Sequence, residues 1–68
     1  MTFVKVHFGG GKSSYWNMAL ATQIKGDSEK STLQIAGNPI VVQGSPDEVI
    51  AAIEGGLDLY APGVKEEK

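Results

Sequence analysis

Residues 44–56, with the sequence GSPDEVIAAIEGG, constrain the fold most because they carry a full set of helix start and stop signals. Ser45 takes the N-cap position, Pro46 the first helical position, and Glu48 lies three residues after the cap, which is the capping-box pattern. The pair Gly55–Gly56 is typical of a helix end. We therefore predict one C-terminal α-helix over about residues 46–54. Its apolar stripe, which should pack on a sheet, is formed by Val49, Ile50 and Ile53.

The chain before this helix alternates apolar and polar residues in short segments that turn residues separate. Residues 2–8 alternate in this way, which predicts a strand with one face in the core. Its inward residues should be Val4, Val6 and Phe8. Further strand-like segments are residues 13–17, a segment centred on residues 23–25, residues 31–36 and residues 40–43. We predict an α+β fold, a four-stranded antiparallel β-meander closed by the helix. The pattern does not determine the conformation of residues 18–24 and 57–61.

The last hairpin of this meander is predicted at residues 37–39, with the sequence Gly-Asn-Pro. Gly37 and Asn38 both tolerate positive φ, as a tight turn requires. Pro39 cannot donate to a strand ladder, so it should begin the next strand or lie on an edge. The inward residues of the two strands should be Leu33, Ile35, Ile40 and Val42.

The length of 68 residues and the absence of cysteine limit how the fold can be stabilised. We predict a single domain over residues 1–61 and a charged, disordered tail over residues 62–68. A core of this size rarely supplies more than about 3–5 kcal/mol, and no disulfide can add to it. Association is the remaining source of stability, so we expect a homo-oligomer.

The charge and the N-terminus exclude several classes of protein. The net charge is −2 and none of the six basic residues is arginine, which disfavours nucleic-acid binding. No apolar run approaches the roughly 20 residues that span a bilayer, and the N-terminus lacks the pattern of a signal peptide. We expect a cytoplasmic protein without a membrane partner.

The segment GGGKSS, residues 9–14, resembles a phosphate-binding loop. A P-loop places its first glycine five residues before the glycine of the Gly-Lys-Ser end, and Val6 occupies that position. The segment that follows is strand-like, so no helix N-terminus is present to hold a phosphate. We interpret GGGK as a hairpin turn, with an anion-binding nest as the remaining alternative. The candidate binding residues around it are Gly10, Gly11, Lys12, Ser13, Tyr15 and Trp16.

Tyr15 and Trp16 are adjacent, so on a strand they point to opposite faces. One should enter the core and the other should serve a partner, a ligand or a subunit interface. His7 is the single histidine and is interpreted as a half-exposed strand residue. Asp58 is interpreted as a turn or capping carboxylate. No metal-ligand cluster or Ser/His/Asp constellation is evident, so we expect no catalysis, metal or cofactor.

The order of these features resembles the small bacterial proteins of the flagellar FlbD type and their phage-borne relatives. The resemblance implies a compact β-rich domain with a C-terminal helix, and an accessory or regulatory role without catalysis. The matching residues are Asn17, Ile24, Thr32, Ile35, Gly37, Val42, Ser45, Glu48, Val49 and Ile53.

Together these observations favour a non-enzymatic interaction module that associates with itself and with another, unidentified protein. An alternative of another class is an oligomer that binds a small anion or nucleotide in a pocket between subunits near GGGK. A nucleic-acid-binding regulator is a third alternative, which the charge disfavours.

Overall fold

The computed structural model describes residues 3–64, which form an α+β fold. The described residues contain six strands and one α-helix, so the predicted four-stranded meander is wrong in its strand number. Five consecutive strands precede the helix, and a short sixth strand follows it. The elements are β1 (Phe3–Gly9), β2 (Lys12–Asn17), a 3₁₀ turn (Met18–Leu20), β3 (Ala21–Gly26), β4 (Lys30–Ile35), β5 (Asn38–Gln43), α1 (Pro46–Glu54) and β6 (Leu59–Tyr60).

The strands form two three-stranded sheets, with the orders β2-β1-β6 and β3-β4-β5. The break between the sheets falls at the 3₁₀ turn, where the Asn17 side chain accepts a hydrogen bond from the Ala19 amide at 3.0 Å. Residues 21–26 then form a full strand because Ala21 and Ile24, paired with β4, pack against the core. This strand covers the strand-like segment centred on residues 23–25, and with it the meander has about five strands rather than four.

The core lies between the two sheets and under the helix. Its buried apolar side chains among the described residues are Val4, Val6, Leu33, Ile35, Ile40, Val42, Val49 and Leu59. Six of the seven inward residues predicted for the first strand and the last hairpin belong to this set, and the exception is Phe8, which is 41% exposed. The β1–β2 register shifts between His7 and Gly9, and this irregularity interrupts the alternation at Phe8.

The β4–β5 turn lies one residue earlier than predicted. Ala36 and Gly37 carry the positive φ angles, 50° and 83°, and Asn38 is already the first residue of β5. This register keeps Leu33 and Ile40 paired on the core face, whereas a shift of one residue would turn a strand's apolar face to solvent. Pro39 lies in β5, whose place in its sheet is at an edge, as predicted.

The helix α1 begins with the predicted capping box. The Ser45 hydroxyl accepts a hydrogen bond from the Glu48 amide at 3.3 Å, and the Ser45 amide donates to Glu48 Oε1 at 2.9 Å. The predicted apolar stripe is wrong at Ile50, which is 41% exposed. Ala52 and Ile53 pack against the core beside Val49 because residues three and four apart share a helix face.

The chain after α1 returns to both sheets. β6 pairs in parallel with β1, and the Gln43 side chain of β5 donates to the carbonyls of Ala61 and Val64 at 2.7 and 2.6 Å. Residues 62–64 of the predicted tail thus form a turn against β5, and residues 65–68 lie outside the described residues. Within residues 3–64, no helix has the length and apolar character to cross a membrane.

Candidate functional site

Polar and aromatic side chains lie on the outer face of the sheet β2-β1-β6, the face that points away from the core. Because side chains alternate along a strand, burial of Val4 and Val6 places Lys5 and His7 on the opposite face. The β1–β2 register pairs Lys5 with Tyr15 and His7 with Ser13, and the β1–β6 register pairs His7 with Tyr60.

A groove of about 520 Å³ opens on this face beside the β1–β2 turn, and we call it the Gly-loop groove. It brings together four of the six candidate binding residues, namely Gly10, Gly11, Lys12 and Ser13. The other residues that line it are Lys5, His7, Gly9, Tyr60, Gly63 and Val64. All of these residues belong to one chain, and the pocket between subunits of the small-molecule alternative stays a prediction.

The turn that forms the rim of this groove has two central residues, Gly10 and Gly11. Their φ angles are 59° and 77°, and positive φ at both positions is what the short hairpin turns of tightly twisted strands require. A Cβ at either position would meet no atom within 4 Å, so this stretch of backbone is open to solvent. GGGK is thus a hairpin turn between strands, as interpreted from the sequence.

Tyr15 and Trp16 do not line the groove, and they separate as their adjacency predicted. Trp16 lies opposite Val4 and packs against the core, with its indole N–H buried and without a hydrogen-bond partner among the described residues. Tyr15 is 67% exposed, and the Lys5 ammonium lies 5.9 Å from its ring centroid. The tyrosine is therefore the aromatic that is available to a partner.

The sequence interpretation missed an arrangement of His7, Asp58 and Tyr60. His7 Nε2 lies 2.8 Å from Asp58 Oδ2, and the imidazole stacks on the Tyr60 ring with centroids 4.6 Å apart and planes at 11°. Asp58 thus pairs with a histidine rather than acting as a turn or capping carboxylate. The pair joins residues 51 positions apart, so no local spacing could have indicated it.

Ser13 lies across from His7 in the β1–β2 register, which places a serine, a histidine and an aspartate on one face. No hydrogen bond joins the Ser13 hydroxyl to the imidazole, whereas an activated serine nucleophile is held by its base. The arrangement offers hydrogen bonds and charge to a ligand in the groove.

Positively charged side chains outnumber negatively charged ones around the groove in the described residues. Within the part of the chain that the structure describes, the sole ion pair is His7–Asp58, so the ammonium groups of Lys5 and Lys12 have no carboxylate partner. No aspartate or glutamate of residues 3–64 lines the groove. The groove consequently has a local positive charge on a chain whose net charge is −2.

Strand β2 forms one edge of its sheet and is exposed along its length. It pairs with β1 on one side and with no described strand on the other. Its residues are exposed from Lys12 to Tyr15 and half-buried at Trp16 and Asn17. An unpaired strand edge of this kind presents backbone N–H and C=O groups that can bond to another chain.

Comparison of the chain with protein-family models, with curated proteins and with solved structures finds no match. The resemblance to the flagellar FlbD-type family stays a prediction.

Proposed function

We propose that this protein is a non-enzymatic, cytoplasmic accessory or regulatory module that associates with itself by pairing β2 of one copy with β2 of another. The observation that carries the proposal is the unpaired edge of β2, a strand of six residues with an exposed tyrosine near its middle. Strand addition at an open edge is a general mode of protein recognition, and the same edge would accept an extended segment of a different protein.

The composition of β2 favours it over the edge that β3 forms in the other sheet. Lysine on an edge strand opposes pairing with another strand. Each strand carries one lysine near an end, Lys12 in β2 and Lys25 in β3, so the exposed tyrosine rather than the charge separates the two edges. Tyrosine is enriched in protein interfaces, and Tyr15 projects from β2.

The pleat limits how two copies of β2 could pair. Residues that meet across an antiparallel pair lie on the same face of the sheet, so outward residues must meet outward residues. Tyr15 would therefore lie opposite Tyr15, Ser13 or Asn17 of a second copy. A two-fold axis through the edge would join two sheets of three strands into one of six.

Energetics support this assembly. The core contains eight buried apolar side chains among the described residues, and a core of this size leaves little stability in reserve. Pairing would add hydrogen bonds at an edge that is otherwise solvated and would cover the two tyrosine rings. Folding and association should therefore stabilise one another.

Sedimentation equilibrium of the wild type and of Tyr15→Glu tests the proposal. The glutamate keeps a favourable neighbour in Lys5, which lies opposite it within the subunit, but it places like charges near the two-fold axis. We expect the wild type to self-associate and the variant to do so about tenfold more weakly, the equivalent of roughly 1.4 kcal/mol.

The matched control is Leu57→Glu, which changes an exposed apolar residue that lies outside β2 and is 62% exposed. It should associate as the wild type does. A wild type that stays monomeric at high concentration, or equal weakening by both variants, would refute the role of β2.

A further inference from the structure

The Gly-loop groove holds positive charge that no carboxylate of the described residues neutralises. Lys5 and Lys12 both line it, and neither ammonium group has a carboxylate within 4.0 Å in residues 3–64. Asp58 is bonded to His7 and is not among the described residues that line the groove. An anion that enters the groove would meet two lysines without displacing an existing ion pair.

Neutral hydrogen-bond donors lie beside these charges. The amides of Gly10 and Gly11 donate to no described residue, and the hydroxyl of Ser13 likewise has no hydrogen-bond partner among residues 3–64. Turn amides that are not consumed by the fold are a common means of binding anionic oxygens. Amides, a hydroxyl and ammonium groups together supply more donors than a single carboxylate needs, and they match the three terminal oxygens of a phosphate group.

The size and the lining residues of the groove indicate a ligand larger than an inorganic ion. Its volume of about 520 Å³ falls in the range of pockets that hold a small organic molecule. The stacked rings of His7 and Tyr60 line it on the β6 side, so a ligand bonded through its phosphate to the turn would place its remaining atoms near aromatic surface.

We propose that the Gly-loop groove binds a small phosphorylated molecule, with Lys12 and the Gly10–Gly11 turn holding its phosphate group and Lys5 adding positive charge farther along β1. The binding uses residues of one chain only. A monomer can therefore bind the ligand, whether or not β2 pairs with a second copy.

Titration of the ¹⁵N-labelled protein at low salt with AMP, adenosine, inorganic phosphate and succinate tests the proposal. We expect AMP and inorganic phosphate to shift the amide signals of Gly10, Gly11 and Ser13 in a saturable way. Adenosine, which lacks the phosphate, should leave them unchanged, and the AMP affinity should fall as salt is added. Saturation by succinate at equal or higher affinity would overturn the assignment of phosphate.

Lys12→Gln should weaken AMP binding roughly tenfold, since it removes a charged donor at the turn. Lys5→Gln should weaken it less, since Lys5 contributes charge from farther along β1. The matched control is Lys25→Gln, because Lys25 lies in β3 and does not line the groove. Retained dispersion of the amide spectrum reports that each variant folds. Equal loss in all three variants, or no saturable shift at the turn, would overturn the proposal. Sedimentation of the same samples separates failure of this proposal from failure of the proposed function. Turn shifts with AMP in a protein that stays monomeric would refute only self-association, and absence of those shifts in a protein that self-associates would refute only phosphate binding.

Discussion

Glu48 is the residue at which the sequence pattern and the observed hydrogen bonds agree most directly. Its carboxylate accepts a hydrogen bond from the Ser45 backbone amide, and this bond, together with the Ser45 hydroxyl, lowers the pKa of Glu48 below its ordinary value. Asp27 behaves in the same way, because bonds from the Glu29 and Lys30 amides lower its pKa. Both are local contacts between residues at most three positions apart.

The lowered pKa of Glu48 predicts that the free energy of unfolding falls in acid. The unfolded chain binds this proton at a higher pH than the folded chain does, so stability is full above the ordinary glutamate pKa of 4.5 and is lost as pH falls through the lower folded pKa. Glu48→Gln should flatten this loss between about pH 5 and pH 3 while keeping much of the cap at neutral pH.

Urea unfolding, followed by the fluorescence of Trp16, the single tryptophan, measures the free energy of unfolding of the wild type and of Glu48→Gln at each pH. Glu54→Gln is the matched control, since Glu54 ends the same helix without a hydrogen bond or ion pair to a described residue. An acid slope that Glu48→Gln leaves unchanged would contradict this role of the capping box.

Residue-scale features were predictable from the sequence where their cause is local. The capping box depends on three-residue spacing, and the inward positions of Leu33 and Ile35 depend on strand alternation. The contact of His7 with Asp58 depends on the short parallel pairing of β1 with β6, which no nearby residue encodes. The groove was predictable at its glycine turn but not at its aromatic wall for the same reason.

At the scale of elements, the β4–β5 turn shows how register overrides turn propensity. Asn38 tolerates positive φ better than alanine does, yet Ala36 takes the left-handed conformation because the core faces of β4 and β5 must coincide. Pairing also overrides propensity in residues 18–24. This segment contains helix-favouring residues, yet it forms one 3₁₀ turn and the start of strand β3. Sequence reasoning left that segment open because pairing with β4, rather than propensity, determines it.

Ala36→Asn should raise the free energy of unfolding by about 1 kcal/mol, because asparagine adopts the left-handed region at lower cost than alanine and precedes glycine in favoured hairpin turns. Ala36→Val should lower it, since a β-branched residue tolerates positive φ poorly. Urea unfolding measures both changes. If the Ala36→Val variant has as high a free energy of unfolding as the Ala36→Asn variant, Ala36 does not have the positive φ of 50° in solution.

The whole molecule combines a small core with a long exposed edge. The described domain buries one apolar cluster between two sheets, with helix α1 contributing Val49 to it. The α+β class followed from the strand and helix patterns, whereas the division into two sheets, and hence the edge position of β2, did not. That edge is the feature on which the proposed self-association depends.

Amide hydrogen exchange by NMR, measured across a roughly hundredfold range of protein concentration, tests the pairing of β2 most directly. The alternate amides of Lys12–Asn17 that do not bond to β1 should exchange more slowly as concentration rises. The amides at the free edge of β3, Ala21–Gly26, should not change. Exchange in β2 that is independent of concentration, or protection gained at β3 instead, would contradict self-association through β2.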